Sequence, residues 1–293
     1  MHDLHHATRH LDLEAAGSRV AYREAGPADA PVVLLLHGFP ASSAMYRGLI
    51  PHLADRYHVL APDLVGFGRS DAPPVQEFAY TFDHLTDVVE AFLERLGVDR
   101  FAVVVQDYGA PVAWRLFLRR PERVSAVVSQ NGNAYEEGFV DAFWEPLWRW
   151  AAARDAEGEA ALRRTFSTEA VRWQYVHGVP DPAVVDPDTW TRDAALLARP
   201  GVAEAQLALY ADYPRNRELY PVLHEAFRAH PVPLLAVWGR DDEIFGPDGA
   251  RAFTRDLPGA RVELLDGGHF LLESHLPQVA GLVRDFLAGA LPR

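Results

Sequence analysis

Two carboxylates and one histidine stand where a folded chain could use them together. Asp107 lies in Val105-Gln106-Asp107-Tyr108-Gly109, after the apolar run Phe101 to Gln106 and before a helical pattern opening at Ala110. A strand that turns through glycine into a helix lifts one side chain above its sheet, where it is free to attack a substrate. Asp242, with Asp241 beside it, ends Trp238-Gly239-Arg240-Asp241-Asp242, and His269 sits in Gly267-Gly268-His269-Phe270. An aspartate at a helix start has a plainer use as an N-cap that accepts backbone N–H groups. Local sequence alone favours the cap. Placement along the chain reverses that preference.

The elements that would position these residues follow from short apolar runs. Val32 to Leu36, His58 to Ala61, Phe101 to Gln106, Val124 to Ser129, Leu234 to Trp238 and Val262 to Leu265 read as buried parallel strands. Helical patterns separate them at Ser43–Leu53, Phe82–Leu96, Ala110–Arg119, Asp248–Leu257 and Pro277–Leu287. Strands alternating with helices predict an α/β protein, a mostly parallel sheet with helices on both faces. The carboxyl ends of such strands face one crevice, so Asp107, Asp242 and His269 are expected on one edge. His37-Gly38-Phe39-Pro40 closes the run Val32 to Leu36 and is expected at the same edge.

The alternation stops between Asn133 and His230. That segment is helical in pattern and holds five of the seven Trp, so it predicts a helical layer over 133–230 with its own aromatic core. Residues 1–132 and 231–293 then form the sheet domain.

Composition removes several classes of function. The 293 residues include no cysteine, which excludes disulfides and a thiolate nucleophile. All 28 basic residues are arginine, which excludes a Schiff-base or Walker-type lysine. A net charge of −13 argues against nucleic acid or an anionic membrane as partner. No apolar run is long enough to span a membrane and the N-terminus does not read as a signal peptide, so a cytoplasmic protein is expected. His2, His5, His6 and His10 read as a solvated tail, without a metal site. Gly66-x-Gly68 lacks the third glycine of a dinucleotide fingerprint.

These motifs, in the order nucleophile, acid, histidine, resemble the α/β-hydrolase family from about Ser18 to Leu287. The turn Asp63-Leu64-Val65-Gly66-Phe67-Gly68-Arg69-Ser70-Asp71 is similar to a segment that many members carry. An aspartate at the elbow resembles the branch of epoxide hydrolases and haloalkane dehalogenases. The resemblance implies an α/β-hydrolase fold with an inserted cap, Asp107 as nucleophile, His269 as base and Asp242 as its acid. Asp241 competes with Asp242 for that place, and the family's usual spacing selects Asp242. It also implies an oxyanion hole from the backbone N–H groups of Phe39 and Tyr108. Asn131, where some relatives hold an alternative acid, is an amide and carries no charge. Gln106 departs from the histidine common before the nucleophile.

An aspartate, with an unperturbed pKa of about 3.9, is ionised at neutral pH without a base. Attack on a saturated carbon gives an alkyl-enzyme ester, which a water activated by His269 then hydrolyses. No metal or organic cofactor is expected, because the carboxylate is itself the nucleophile. The partner is a small-molecule substrate, and the chain is expected to be a monomer or homodimer. An epoxide needs a proton donor, and the resemblance offers Tyr210 or Tyr213 late in the cap, with Tyr135 or Tyr175 as the earlier partner. A halide needs N–H donors, for which Trp148 or Trp150 are candidates. The balance favours an epoxide hydrolase giving diols. A haloalkane dehalogenase is the alternative, and an inactive or ligand-binding relative of the family is the further one.

Overall fold

The computed structural model describes residues 7–291. Its eight strands are β1 (Arg9–Ala15), β2 (Ser18–Ala25), β3 (Val32–Leu36), β4 (His58–Pro62), β5 (Phe101–Gln106), β6 (Val124–Gln130), β7 (Leu234–Gly239) and β8 (Arg261–Leu265). They form one sheet in the order β1-β2-β4-β3-β5-β6-β7-β8, antiparallel at β1, β2 and β4 and parallel from β4 to β8. Every residue of β5 and β7 is buried, as continuous Val- and Leu-rich runs require when helices cover both faces.

The six expected strands are present within a residue or two. The sheet adds β1 and β2. In β1, charged residues alternate with Leu11, Leu13 and Ala15, the half-buried pattern of an edge strand, which a search for continuous apolar runs passes over. His10 therefore belongs to the sheet, paired opposite Arg23, and not to a solvated tail. His2, His5 and His6 lie outside the described residues.

The helices flanking the sheet are α1 (Ile50–Leu53), α2 (Phe82–Arg95) and α3 (Gly109–Arg119). Six more follow between β6 and β7, namely α4 (Asp141–Ala153), α5 (Ala156–Arg163), α6 (Thr168–Val176), α7 (Pro187–Leu197), α8 (Val202–Asp212) and α9 (Pro214–Ala229). The last are α10 (Pro247–Asp256), α11 (Leu271–Ser274) and α12 (Leu276–Ala290). The helix expected over Ser43–Leu53 is two pieces, a 3₁₀ segment over Ser43–Arg47 and then α1. Gly48 and Pro51 break the run: glycine weakens a helix, and proline fits only its first turn.

Two features aim the sheet at one place. After β3 the chain lays β4 on one side and returns to lay β5 on the other, which opens a crevice between β3 and β5. The layer of α4 to α9 is seated on the loops that leave that edge. The Trp144 indole donates to the Ile244 carbonyl at 2.8 Å, and Asp212 accepts the Phe82 N–H at 2.8 Å. A β-carbon on Gly268 would lie 1.9 Å from the carbonyl oxygen of His177, so the layer's backbone runs directly against the His269 loop. Among the described residues no helix is long and apolar enough to cross a membrane.

The start of α3 is another tight point of the frame. A β-carbon on Gly109 would sit 2.0 Å from the Leu36 carbonyl oxygen, in backbone that cannot swing aside. Gly109→Ala should lower stability by about 1–3 kcal/mol or more. A reduced urea midpoint would register it, and an unchanged midpoint would contradict this packing.

Candidate active site

Asp107 occupies the turn between β5 and α3 with φ +46°, a left-handed conformation uncommon for a side-chain-bearing residue. The turn holds because glycines surround it. A β-carbon on Gly38 would meet the Asp107 β-carbon at 2.3 Å, so the loop after β3 presses directly on the aspartate. Asp107 Oδ1 accepts the N–H of Phe39 at 2.7 Å and of Tyr108 at 2.6 Å. Its Oδ2 lies 3.8 Å from Nε2 of His269. The carboxylate thus accepts from the backbone, as a cap does, but with one oxygen only. The other faces the histidine.

His269 is oriented from behind. Its Nδ1 lies 2.8 Å from Asp242 Oδ2, and Asp242 Oδ1 accepts the Ile244 N–H at 2.8 Å. Asp241, the competing carboxylate, is exposed, whereas Asp242 is buried. Asn131, held at φ +48°, donates to Asp242 Oδ2 at 2.6 Å and accepts the Gly239 N–H at 3.1 Å. Gln130 donates to Asn131 Oδ1 and to the His269 carbonyl, at 2.8 and 3.0 Å. The ends of β6, β7 and β8 are therefore tied into one network around the imidazole. Sequence reading left Asn131 and Gln130 out of it, because an amide's value as an orienting donor depends on geometry. His37 faces away from this network: its Nε2 accepts the Leu64 N–H at 3.0 Å, which puts its proton on Nδ1 toward the Gly38 carbonyl.

Comparison with known proteins gives the family of the chain. A family model for the alpha/beta hydrolase fold matches residues 31–276. An uncharacterised hydrolase of Saccharomyces cerevisiae is 42% identical over 90% of this chain and 91% of its own. A haloalkane dehalogenase of Bradyrhizobium diazoefficiens is 31% identical over 93% of this chain and 92% of its own. The crystal structure of epoxide hydrolase A from Mycobacterium thermoresistibile superposes with a TM-score of 0.74 at 26% identity, covering 97% of this chain and 99% of its own. The chain belongs to the α/β-hydrolase family. It is a hydrolase related to the dehalogenase and epoxide hydrolase members.

Over the elbow of this α/β-hydrolase lies a cover of aromatic rings. The Phe39 ring is 5.7 Å from Tyr210 and 6.0 Å from Tyr108, and Tyr108 is 5.7 Å from Tyr213. The Tyr210 hydroxyl lies 3.1 Å from Thr165 Oγ1, and the Tyr108 hydroxyl is buried with no hydrogen-bond partner among the described residues. Burial first, and then the charge of Asp107 among other causes, raises the pKa of all three phenols, which keeps them protonated as donors. The sequence reading gave Tyr108 only a backbone role; its position beside Asp107 was the available signal for more.

The other candidates go elsewhere. Tyr135 stacks on His224 at 4.2 Å and packs against Phe253 of α10, because the chain after β6 turns away from the elbow. Tyr175 stacks on Phe270 at 4.0 Å but commits its hydroxyl to Asp193. Trp150 packs under Arg154 and against Gly158, at the corner of α4 and α5. Trp148 stacks on Trp144 and lies beneath Arg217, with Tyr213 at 5.9 Å between centroids. Among the described residues no group of three or more His, Asp or Glu is arranged to hold a metal ion.

Burial pushes the Asp107 carboxyl up to about 6, against the pull of His269 and the two N–H donors. Burial lowers His269, but the charge and hydrogen bond of Asp242, with the charge of Asp107, outweigh it and leave its pKa raised. Carboxyl ¹³C NMR should show Asp107 titrating near pH 6, about two units above an ordinary aspartate. A midpoint near 4 would contradict this environment.

Proposed function

We propose that this hydrolase opens epoxides to diols through an ester on Asp107. The observation that carries the reading is the pair of phenols, Tyr210 and Tyr213, within the field of Asp107 and over the two oxyanion donors. Asp107 Oδ2 attacks an epoxide carbon, the C–O bond breaks, and a tyrosine hydroxyl protonates the departing oxygen. A water then gives one proton to His269 Nε2 as its oxygen bonds to the ester carbon. The charge that develops on Oδ1 meets the N–H groups of Phe39 and Tyr108. Collapse expels the diol oxygen, which takes the proton from His269. The proton left on Asp107 returns through solvent to the tyrosinate.

In this reading residues 133–230 act as the cap, and 1–132 with 231–293 as the catalytic core. Asp107 is 5% exposed and His269 2%, so the reacting groups are shielded from bulk water. A departing halide would instead need N–H donors. The relatives named as dehalogenases keep that reading in view, but of the two candidates Trp150 faces α5 and Trp148 stacks on Trp144 beneath Arg217.

His269→Ala should stop the reaction after one event, with Asp107 esterified. Intact mass spectrometry would find the chain heavier by the whole epoxide, or by an alkyl group without its halide if the dehalogenase reading holds. Asp107→Ala should carry no adduct. Turnover by the wild type without any adduct on His269→Ala would rule the ester mechanism out, and no turnover with either substrate class would favour a binding-only relative.

Tyr210→Phe or Tyr213→Phe should slow ester formation by about 10²-fold, with less effect on its hydrolysis. Rapid-quench kinetics separates the two steps. Unchanged formation in both variants would move the assignment to a halide. Formation should also fall as pH drops through about 6, because the raised pKa of Asp107 leaves it protonated below that point.

A further inference from the structure

Gln106 is completely buried one residue before Asp107, and the reaction above gives it no part. Its Nε2 lies 2.6 Å from Nε2 of His269, the nitrogen that must take a proton from water. Its Oε1 is buried without a hydrogen-bond partner among the described residues. Leaving a buried acceptor unpaired is unfavourable, and a leucine or methionine of similar volume would avoid it. The neighbouring strand gives the contrast. Gln130, opposite Gln106 in register, donates to the His269 backbone and to Asn131, and so holds the loop. Gln106 alone of the two meets the ring.

We propose that Gln106 positions the hydrolytic water, an assignment that rests on the aspartyl-ester reading. In the free enzyme its amide occupies Nε2 of His269 and keeps that buried nitrogen bonded. When the ester has formed, water enters between Nε2 and the Asp107 carboxyl carbon, and the amide passes from the ring to the water. One O–H of the water donates to Nε2 and the other to Gln106 Oε1, the acceptor that otherwise has no donor. The free lone pair is then directed at the ester carbon. As the new C–O bond forms, the first O–H proton moves to Nε2 and the carbonyl electron pair moves onto Oδ1. The second hydrogen stays on the incoming oxygen. Gln106 exchanges no proton and touches only the water and the base.

The test uses the full chain with Gln106→Leu and Gln106→Glu, following ester formation and decay by rapid quench across pH. Gln106→Leu should form the ester within a few-fold of the wild-type rate and hydrolyse it about 10²-fold more slowly. Gln106→Glu keeps an acceptor but sets another carboxylate against the imidazole, which holds its proton longer. Its ester decay should therefore shift to higher pH and recover there. Equal slowing of formation and decay, decay at the wild-type rate in Gln106→Leu, or an unshifted pH midpoint in Gln106→Glu would each overturn the assignment. Absence of any adduct on His269→Ala would instead overturn the ester reading, and this assignment with it.

Discussion

A single carboxylate oxygen held by two backbone N–H groups is the constraint around which this molecule is arranged. Asp107 Oδ1 reaches Phe39 and Tyr108 only because the loop after β3 and the turn after β5 approach each other closely. That approach needs hydrogen in place of a side chain at Gly38 and Gly109, and a left-handed turn at Asp107. It also needs β3 and β5 adjacent, with the chain leaving them in opposite directions, which the strand order supplies. Burying the carboxylate is unfavourable and pushes its pKa up; the N–H pair and the imidazole recover part of that cost. The result is a charge kept poor in partners on one oxygen and well bonded on the other.

The second half of the arrangement comes from strand ends that do not touch Asp107. Asp242 accepts from Ile244, Asn131 and His269 together, which leaves its carboxylate no freedom to turn. Asn131 stands at the same strand end as Gln130, and both reach across to β7 or the His269 loop. Such a network of hydrogen bonds restrains the ring plane. The helical layer adds a further restraint through His177, whose carbonyl lies where a side chain at position 268 would be. The loop bearing His269 is thus held from below by amides and from outside by backbone.

Much of this was legible before any coordinates. The parallel strands announce themselves as continuous apolar runs, and glycine marks the turns where Asp107, Asp242 and His269 stand. Chain order and strand ends bring those three to one edge without knowledge of any contact. The antiparallel edge was not legible by the same rule, because β1 is only half buried and its Leu residues alternate with charges. The helical layer was legible as a layer but not in its detail. Tyr135 and Tyr175 look like Tyr210 and Tyr213 in sequence, yet their hydroxyls lie toward the Asp256 side and on Asp193. Which face of a short helix meets the elbow depends on how several helices pack, and no local pattern encodes that. Gln106 is the sharper case: its departure from a common histidine was visible, but its contact with the imidazole was not.

The charges of the site also bear on the order of the two chemical steps. In the free enzyme Asp107 and Asp242 both raise the proton affinity of His269. Each of the two carboxylates favours the cation over the neutral ring. Esterification of Asp107 in the proposed reaction removes one of those two charges and leaves the other. The proton affinity of His269 then falls, while its burial, which also disfavours the cation, is unchanged. Release of the product carboxylate restores the charge and with it the raised proton affinity. The 3.8 Å between Asp107 Oδ2 and His269 Nε2 is short enough for this coupling and leaves the two groups free to exchange partners. Spacing and charge together make the imidazole respond to the state of the aspartate, with no movement of the backbone required.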